Sequence, residues 1–369
     1  MLTNLATGTI YANPQAHIKS VHAYFPSVAC LPSGELIATY VLGEAFEATN
    51  ARLHVSRSTD RGDTWTAWGP LKTERTSELI SESGRISIDE QGQPVVLWYQ
   101  CDRREHPDDG LSNPENMGFV PTSFHILRSS DDGRTWTKPH QIEPPVKGCE
   151  FELCSPITII KDGMWLLPTS TWKRWNGQLD PGYKMLALVS RDKGATWPEA
   201  VQPMSLPGQS LIFWESKIVE FADGTLLAQA WTHNYETAKD SPNHYSLSKD
   251  AGKTWSLPQS TGILGQTMTQ FVLDDGRLIN VYRRMDETGL WATVAHLEGD
   301  RWVNDETIPL WGQNAAQLTG RHSSMVDNFR VLRFGAPCIN RLDNGEVFVA
   351  FWCYEDAKSV IRWFRFGVR

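Results

Sequence analysis

A carboxylate opens an apolar stretch at Phe213-Trp-Glu215-Ser-Lys-Ile-Val-Glu220-Phe-Ala-Asp-Gly224. An acid set between Trp214 and aliphatic neighbours loses hydration, and burial disfavours its charged form. Such a group keeps a proton near neutral pH and can act as a general acid or base. Six further segments concentrate polar and aromatic side chains. They are Gly43-Glu44-Ala-Phe-Glu47, Cys101-Asp102-Arg103-Arg104-Glu105-His106, Trp172-Lys173-Arg174-Trp175, Trp231-Thr-His233-Asn234-Tyr235, Arg283-Arg284-Met-Asp286 and Trp352-Cys-Tyr354-Glu355-Asp356. Cations and hydroxyls orient a sugar by hydrogen bonding, and indoles stack on its ring. Arg104, Trp175, Trp231, His233, Arg283 and Tyr354, together with His22, are therefore candidate substrate-binding residues. Arg321, Arg330 and Arg333 lie in the long stretch from Gly312 to Phe334. Arg321 and Arg333 join the binding candidates as a possible anion site.

The elements that must position these residues are legible as repeats. Ser58-Thr-Asp60-Arg-Gly62-Asp-Thr-Trp65 returns as Ser129-Ser-Asp131-Asp-Gly133-Arg-Thr-Trp136. It returns again as Ser190-Arg-Asp192-Lys-Gly194-Ala-Thr-Trp197 and as Ser248-Lys-Asp250-Ala-Gly252-Lys-Thr-Trp255. Each reads as a hairpin turn. The Asp carboxylate folds onto backbone N–H groups, Gly takes the positive φ, and the indole covers the hairpin. A second series of turns is centred on Gly34, Gly92, Gly163, Gly224, Gly276 and Gly345, each between β-rich apolar runs. Units with one turn of each kind are four-stranded meanders, and six such units predict an all-β, six-bladed β-propeller. The fifth unit keeps only a decayed second turn at Glu298-Gly-Asp-Arg-Trp302. One blade has to be completed by both chain ends, or two sheet edges stay open. Thr9-Ile10-Tyr11 is the expected N-terminal strand, and residues 1–369 are read as one domain.

The turns also fix which residues open the inner strands. Nine or ten residues before each turn Gly stand Tyr24 and Phe25, Glu82 and Ser83, Leu153 and Cys154, Trp214 and Glu215, Gln266 and Thr267, and Gly335 and Ala336. These positions and the loops after the second strands are expected to line the mouth of the propeller, with Glu215 facing it beside Tyr24 and Trp231.

Composition narrows the function. Lys and Arg total 35 against 43 Asp and Glu, a formal charge of −8, which argues against nucleic acid and anionic membrane surfaces as partners. No apolar run approaches the length of a membrane span. The N-terminal residues lack a basic and apolar leader, and the six Cys are scattered without a CxxC pair. A cytoplasmic location, free thiols and no metal or cofactor are expected. Sixteen Trp exceed what the turns consume, and the remainder suit a carbohydrate partner.

The four S-x-D-x-G-x-T-W turns resemble the Asp-box, or BNR repeat, of the sialidase (neuraminidase) superfamily. The segment around Glu215 is similar to the one that carries the catalytic glutamate of those enzymes. The resemblance implies a sialidase-like propeller, with a general acid on a first-blade loop, here Glu44 or Glu47. It also implies an Arg where Tyr24 stands, a second Arg where Trp231 stands, and a nucleophilic Tyr where Ala336 stands. A charge-assisted bond to a carboxylate contributes about 1.5–3 kcal/mol, so losing two such clamps removes ordinary sialoside recognition. The expected activity is an exo-acting glycosidase on another sugar, with Glu215 as base and Tyr24 as a replacement nucleophile. A uronate-directed polysaccharide lyase, using His22, Tyr24, His233, Tyr235, Arg321 or His322, is one alternative. A non-catalytic sugar-binding propeller is the other.

Overall fold

The computed structural model describes residues 1–72, 77–284, 286–312 and 332–369. The described chain is built from β-strands and turns, and every blade is an antiparallel sheet; in blades 1, 2, 4 and 5 the strands pair in sequence order. Blade 1 runs from His22 to Pro70, blade 2 from Ile80 to Gln141 and blade 3 from Glu150 to Met204. Blade 4 runs from Leu211 to Ser260 and blade 5 from Gly265 to Trp311. Blade 6 comprises Phe334–Arg341, Val347–Glu355 and Lys358–Val368, and its fourth strand is the N-terminal Leu2–Tyr11. That strand pairs with the C-terminal one from Leu2↔Val368 to Tyr11↔Ile361, longer than the three residues expected. It covers an edge that would otherwise expose unpaired N–H and C=O groups. The architecture is a six-bladed β-propeller.

Both turn series are as regular as their sequences. At all six Gly turns the glycine N–H donates back three residues, at 2.9–3.0 Å, from Gly34 to Leu31 through to Gly345 to Leu342. Their φ values of 78–86° are ones that Gly adopts without strain. In the other series, Ser58 Oγ donates to Asp60 Oδ1 at 2.7 Å and accepts from Gly62 N at 2.8 Å. Thr64 supplies its N–H to Asp60 Oδ1 at 2.9 Å and its hydroxyl to Oδ2 at 2.6 Å. The indole of Trp65 donates to Gly62 O at 2.9 Å, closing over the turn. The residue before each of these glycines is also left-handed: Arg61, Asp132, Lys193 and Ala251 have φ of 56–58°. The carboxylate clamp offsets that strain.

The second strands are buried on both faces, as in Leu36–Gly43, where every residue is buried. Hence they read as unbroken apolar runs rather than alternating ones. Two compact units emerge from the contacts. One comprises Met1–Ile142, Lys173–Gly177 and Ala336–Arg369; the other comprises Glu143–Trp172 and Gln178–Gly335. In the first, Ile37, Leu53, Phe348 and Trp352 are among the fully buried side chains. In the second, Leu166, Leu188, Leu226, Ala228 and Leu278 have no more than 0 % exposure.

Two local features depart from a plain meander. The inner strands of blades 1, 4 and 5 carry a register shift at Tyr24/Ser27, Trp214/Lys217 and Gln266/Thr269. The residue inside each bulge is left-handed: Phe25 at φ 52°, Glu215 at 50° and Thr267 at 48°, matched in blade 6 by Ala336 at 45°. A bulge bends its strand and re-aims the side chain it carries. In blade 3 the inner strand is broken. Glu150–Phe151 pairs with Thr171–Trp172, Thr158–Ile159 pairs with Trp165–Leu166, and Glu152–Ile157 loops out between them.

Candidate functional site

Glu215 sits in the second unit, half-buried, inside the blade 4 bulge. A left-handed non-glycine residue costs about 1–2 kcal/mol, so its conformation must be held from outside. Two contacts hold it. The Glu215 N–H donates to Glu152 Oε2 at 3.1 Å, and Glu215 Oε2 accepts from Thr267 N at 2.5 Å. Thr267 is itself the bulge residue of blade 5, so one bulge anchors the next. Desolvation first, and the Glu152 charge second, push the Glu215 carboxyl up to about 7. Lys217 and Arg283 pull the other way without cancelling the rise.

Glu152 comes from the loop that interrupts the blade 3 inner strand. Burial raises its carboxyl above the usual range. Cys154 Sγ donates to Glu152 Oε2 at 3.2 Å. Lys217 Nζ bridges Cys154 O at 2.5 Å and Glu215 O at 3.0 Å, tying the two segments together. The inner-strand alignment points to Leu153 and Cys154 for this blade. The break in the strand shifts the frame and brings forward Glu152, a residue the sequence reading missed.

A polar relay flanks the pair. Arg283 is 4 % exposed; its Nη2 donates to Gln266 Oε1 at 2.6 Å and its Nη1 to Phe334 O at 3.0 Å. Gln266 Nε2 donates to Asp240 Oδ2 at 2.7 Å, and Asp240 Oδ1 meets His233 Nδ1 at 2.8 Å. Burial lowers the Arg283 guanidinium to about 10, against the opposing charges of Glu215 and Asp240. The His233 ring stacks on Trp214 at 5.1 Å, and Trp214 meets Trp231 edge-on at 5.0 Å. Trp172 and Tyr183 extend this aromatic wall, both only half-buried. The fold thus brings Glu215, Trp231, His233 and Arg283 into one cluster. Asp240 is a further member that the sequence reading did not select, and Gln266 is one it named only as an inner-strand opening. The hydrophobic neighbours of Glu215 gave a signal; Asp240, in the surface-like run Lys239-Asp-Ser, gave none.

Arg333 is exposed and donates to Leu332 O at 3.1 Å. Arg321, His322 and Arg330 lie outside the described residues. In the first unit, Tyr24 is fully buried and its hydroxyl meets that of Tyr354 at 2.8 Å. Phe46 and Trp352 stand edge-on to its ring. Burial and Tyr354 raise the Tyr24 phenol far above its ordinary value. A proton that tightly held, on an oxygen without solvent access, corrects the expectation of a nucleophilic Tyr24: it is a packing residue. His22 accepts from Ser359 N at 3.0 Å through Nδ1, which assigns its proton to Nε2. Of the two first-blade acids, Glu44 is exposed. Glu47 is half-buried, accepts from Leu111 N at 2.9 Å, and is raised by desolvation. Arg104 is exposed and bound bidentately to Asp102 of its own turn. Its neighbour Arg103 is the buried one, donating to Glu47 O at 2.8 Å. Trp175 stacks on His106 at 3.8 Å. Among the described residues no three His, Cys, Asp or Glu side chains gather as a metal site would require.

Solved structures share this architecture over nearly all of the chain. A protein of unknown function from Dyadobacter fermentans aligns at a TM-score of 0.75 and 19% identity, covering 100% of this chain and 99% of its own. The NanB sialidase of Streptococcus pneumoniae aligns at 0.65 and 14%, covering 98% and 70%. An α-L-arabinanase of Penicillium chrysogenum, complexed with arabinobiose, aligns at 0.65 and 16%, covering 98% of both chains. The fold is the sialidase-like propeller. No family model and no curated protein sequence matches the chain. At such identities the likeness concerns the fold, and the chemistry of this sialidase-like propeller has to be argued from its own site.

Proposed function

We propose that the chain is an exo-acting glycoside hydrolase whose substrate is a carbohydrate other than an ordinary sialoside. One observation carries this reading: Glu215, a half-buried carboxyl pushed up to about 7, beside a wall of Trp and Tyr rings. Near neutral pH such a group populates both forms. Protonated, it gives its proton to a leaving glycosidic oxygen; ionised, it takes one from water. Its Oε2 accepts from Thr267 N, which holds the carboxyl in place. The half-buried faces of Trp172 and Tyr183 suit the apolar face of a sugar ring. The sialidase and arabinanase neighbours, which are named as carbohydrate-cleaving enzymes, support this class. A substrate lacking a carboxylate follows from the buried Tyr24 and Trp231 at the places where the sialidase resemblance implies Arg.

The test is a screen of glycosides and polysaccharides with product masses, followed by Glu215→Gln. Turnover is expected to fall by about 10²–10⁴-fold in a folded variant. Full turnover in that variant would remove Glu215 from the chemistry. An ultraviolet-absorbing unsaturated product would replace hydrolysis by elimination. Binding across the screen without turnover would replace the enzyme by a sugar-binding propeller.

A further inference from the structure

The pairing of Glu152 with Glu215 goes beyond the role proposed for Glu215 alone. Glu152 accepts the Glu215 backbone N–H at 3.1 Å, and both side chains are half-buried. Without that acceptor, a donor in a left-handed bulge would lose its partner inside the fold, and the bulge would relax. Electrostatics adds a second argument. Facing Glu215 are Glu152 and Cys154 from blade 3, Lys217 from its own strand, and Arg283 from blade 5. Asp240 and His233 of blade 4 lie beyond Arg283. Glu152 and Glu215 are held side by side in a poorly hydrated site by the 3.1 Å backbone bond. Two like carboxyls in one desolvated site disfavour double ionisation.

We propose that Glu152 is a positioning residue for Glu215: it clamps the left-handed bulge through the backbone, and its carboxylate, held beside Glu215 by that bond, favours the protonated form of its neighbour. When Glu215 gives its proton to a leaving oxygen the charge of the cluster falls by one, and it is restored when Glu215 takes a proton from water. The consequence for turnover rests on the hydrolase reading; the clamp and the charge coupling do not.

The experiment is therefore a carbon-13 NMR titration of the Glu side-chain carboxyls in the full chain. The wild type, Glu152→Gln and Glu215→Gln are compared without substrate. In the wild type the pair is expected to titrate in two separated steps, both above the ordinary Glu range and one near neutrality. In Glu152→Gln the amide oxygen can still accept the Glu215 N–H while the charge is gone. The Glu215 midpoint should then fall by about one pH unit, a tenfold loss of proton affinity. If substrate is in hand, the matching limb of the pH–rate profile moves down with it. A Glu215 midpoint unchanged by Glu152→Gln overturns the inference. Should that variant not fold, a wild-type titration with both groups in the ordinary range overturns it equally. A shifted midpoint without any hydrolytic turnover upholds the pair and defeats only the enzymatic reading.

Discussion

At the scale of residues, the site places an ionisable group where its charge is unwelcome. Glu215 has its folded value raised to about 7, mainly by desolvation. A carboxyl raised in the folded state contributes stability that is fully present below its unfolded value. That contribution is lost as pH rises through the folded value. The window therefore runs from the ordinary Glu range, about 4.3, up to about 7. Glu215→Gln imitates the protonated form at every pH. The variant is expected to melt at the wild-type temperature near pH 4 and several degrees higher at pH 8, as thermal unfolding across that range will show. A site residue that lowers stability in the working state is a familiar cost of function. Arg283 makes the opposite case, since its fork satisfies Gln266 and Phe334 from inside the fold. Arg283→Leu should destabilise the protein by about 3–5 kcal/mol in chemical denaturation, because it strands buried partners.

At the scale of elements, the turns carry the pH dependence on the acid side. Asp131, Asp192 and Asp250 are each depressed to about 2, chiefly by the hydroxyl of the Thr four residues on. Their contribution is present above the unfolded Asp value, about 3.9, and is lost as pH falls through about 2. Replacing the three by Asn should lower the melting temperature above pH 4, where the carboxylates contribute, and flatten its fall between pH 4 and 2, where wild type and variant converge. Thermal scans at stepped pH would measure this. The loop contact of the first unit is a steric matter. A Cβ on Gly118 would lie 2.1 Å from Arg174 O and 2.7 Å from Trp175 O, both backbone atoms that cannot swing aside. Gly118→Ala should therefore cost about 1–3 kcal/mol and loosen the His106–Trp175 stack. Retained stability and unchanged tryptophan fluorescence would refute that reading. The turns were legible because their chemistry is local: each motif carries its own Ser, Asp, Gly and Thr. The bulges were not. A left-handed Glu215 is set by Glu152 and Thr267, partners 63 and 52 residues away, and local pattern says nothing of them.

At the scale of the whole molecule, the propeller completes its last blade with the first strand. Removing residues 1–11 should leave the Lys358–Val368 edge unpaired, lower the melting temperature by several degrees and promote concentration-dependent aggregation. Light scattering and calorimetry would decide it. Sequence alone determined the class, the number of blades and the location of both turn series. Those follow from repeated short motifs and from apolar runs whose periodicity is a local property. It also pointed to Glu215, because an acid among aromatic and aliphatic neighbours is conspicuous in one dimension. Only the tertiary structure decided that Glu152 shares its site, that Arg283, Gln266, Asp240 and His233 form one relay, and that Tyr24 is buried. Burial, charge pairing and the proton on a carboxyl depend on distances between side chains far apart in the chain. Those distances exist only once the sheets have packed.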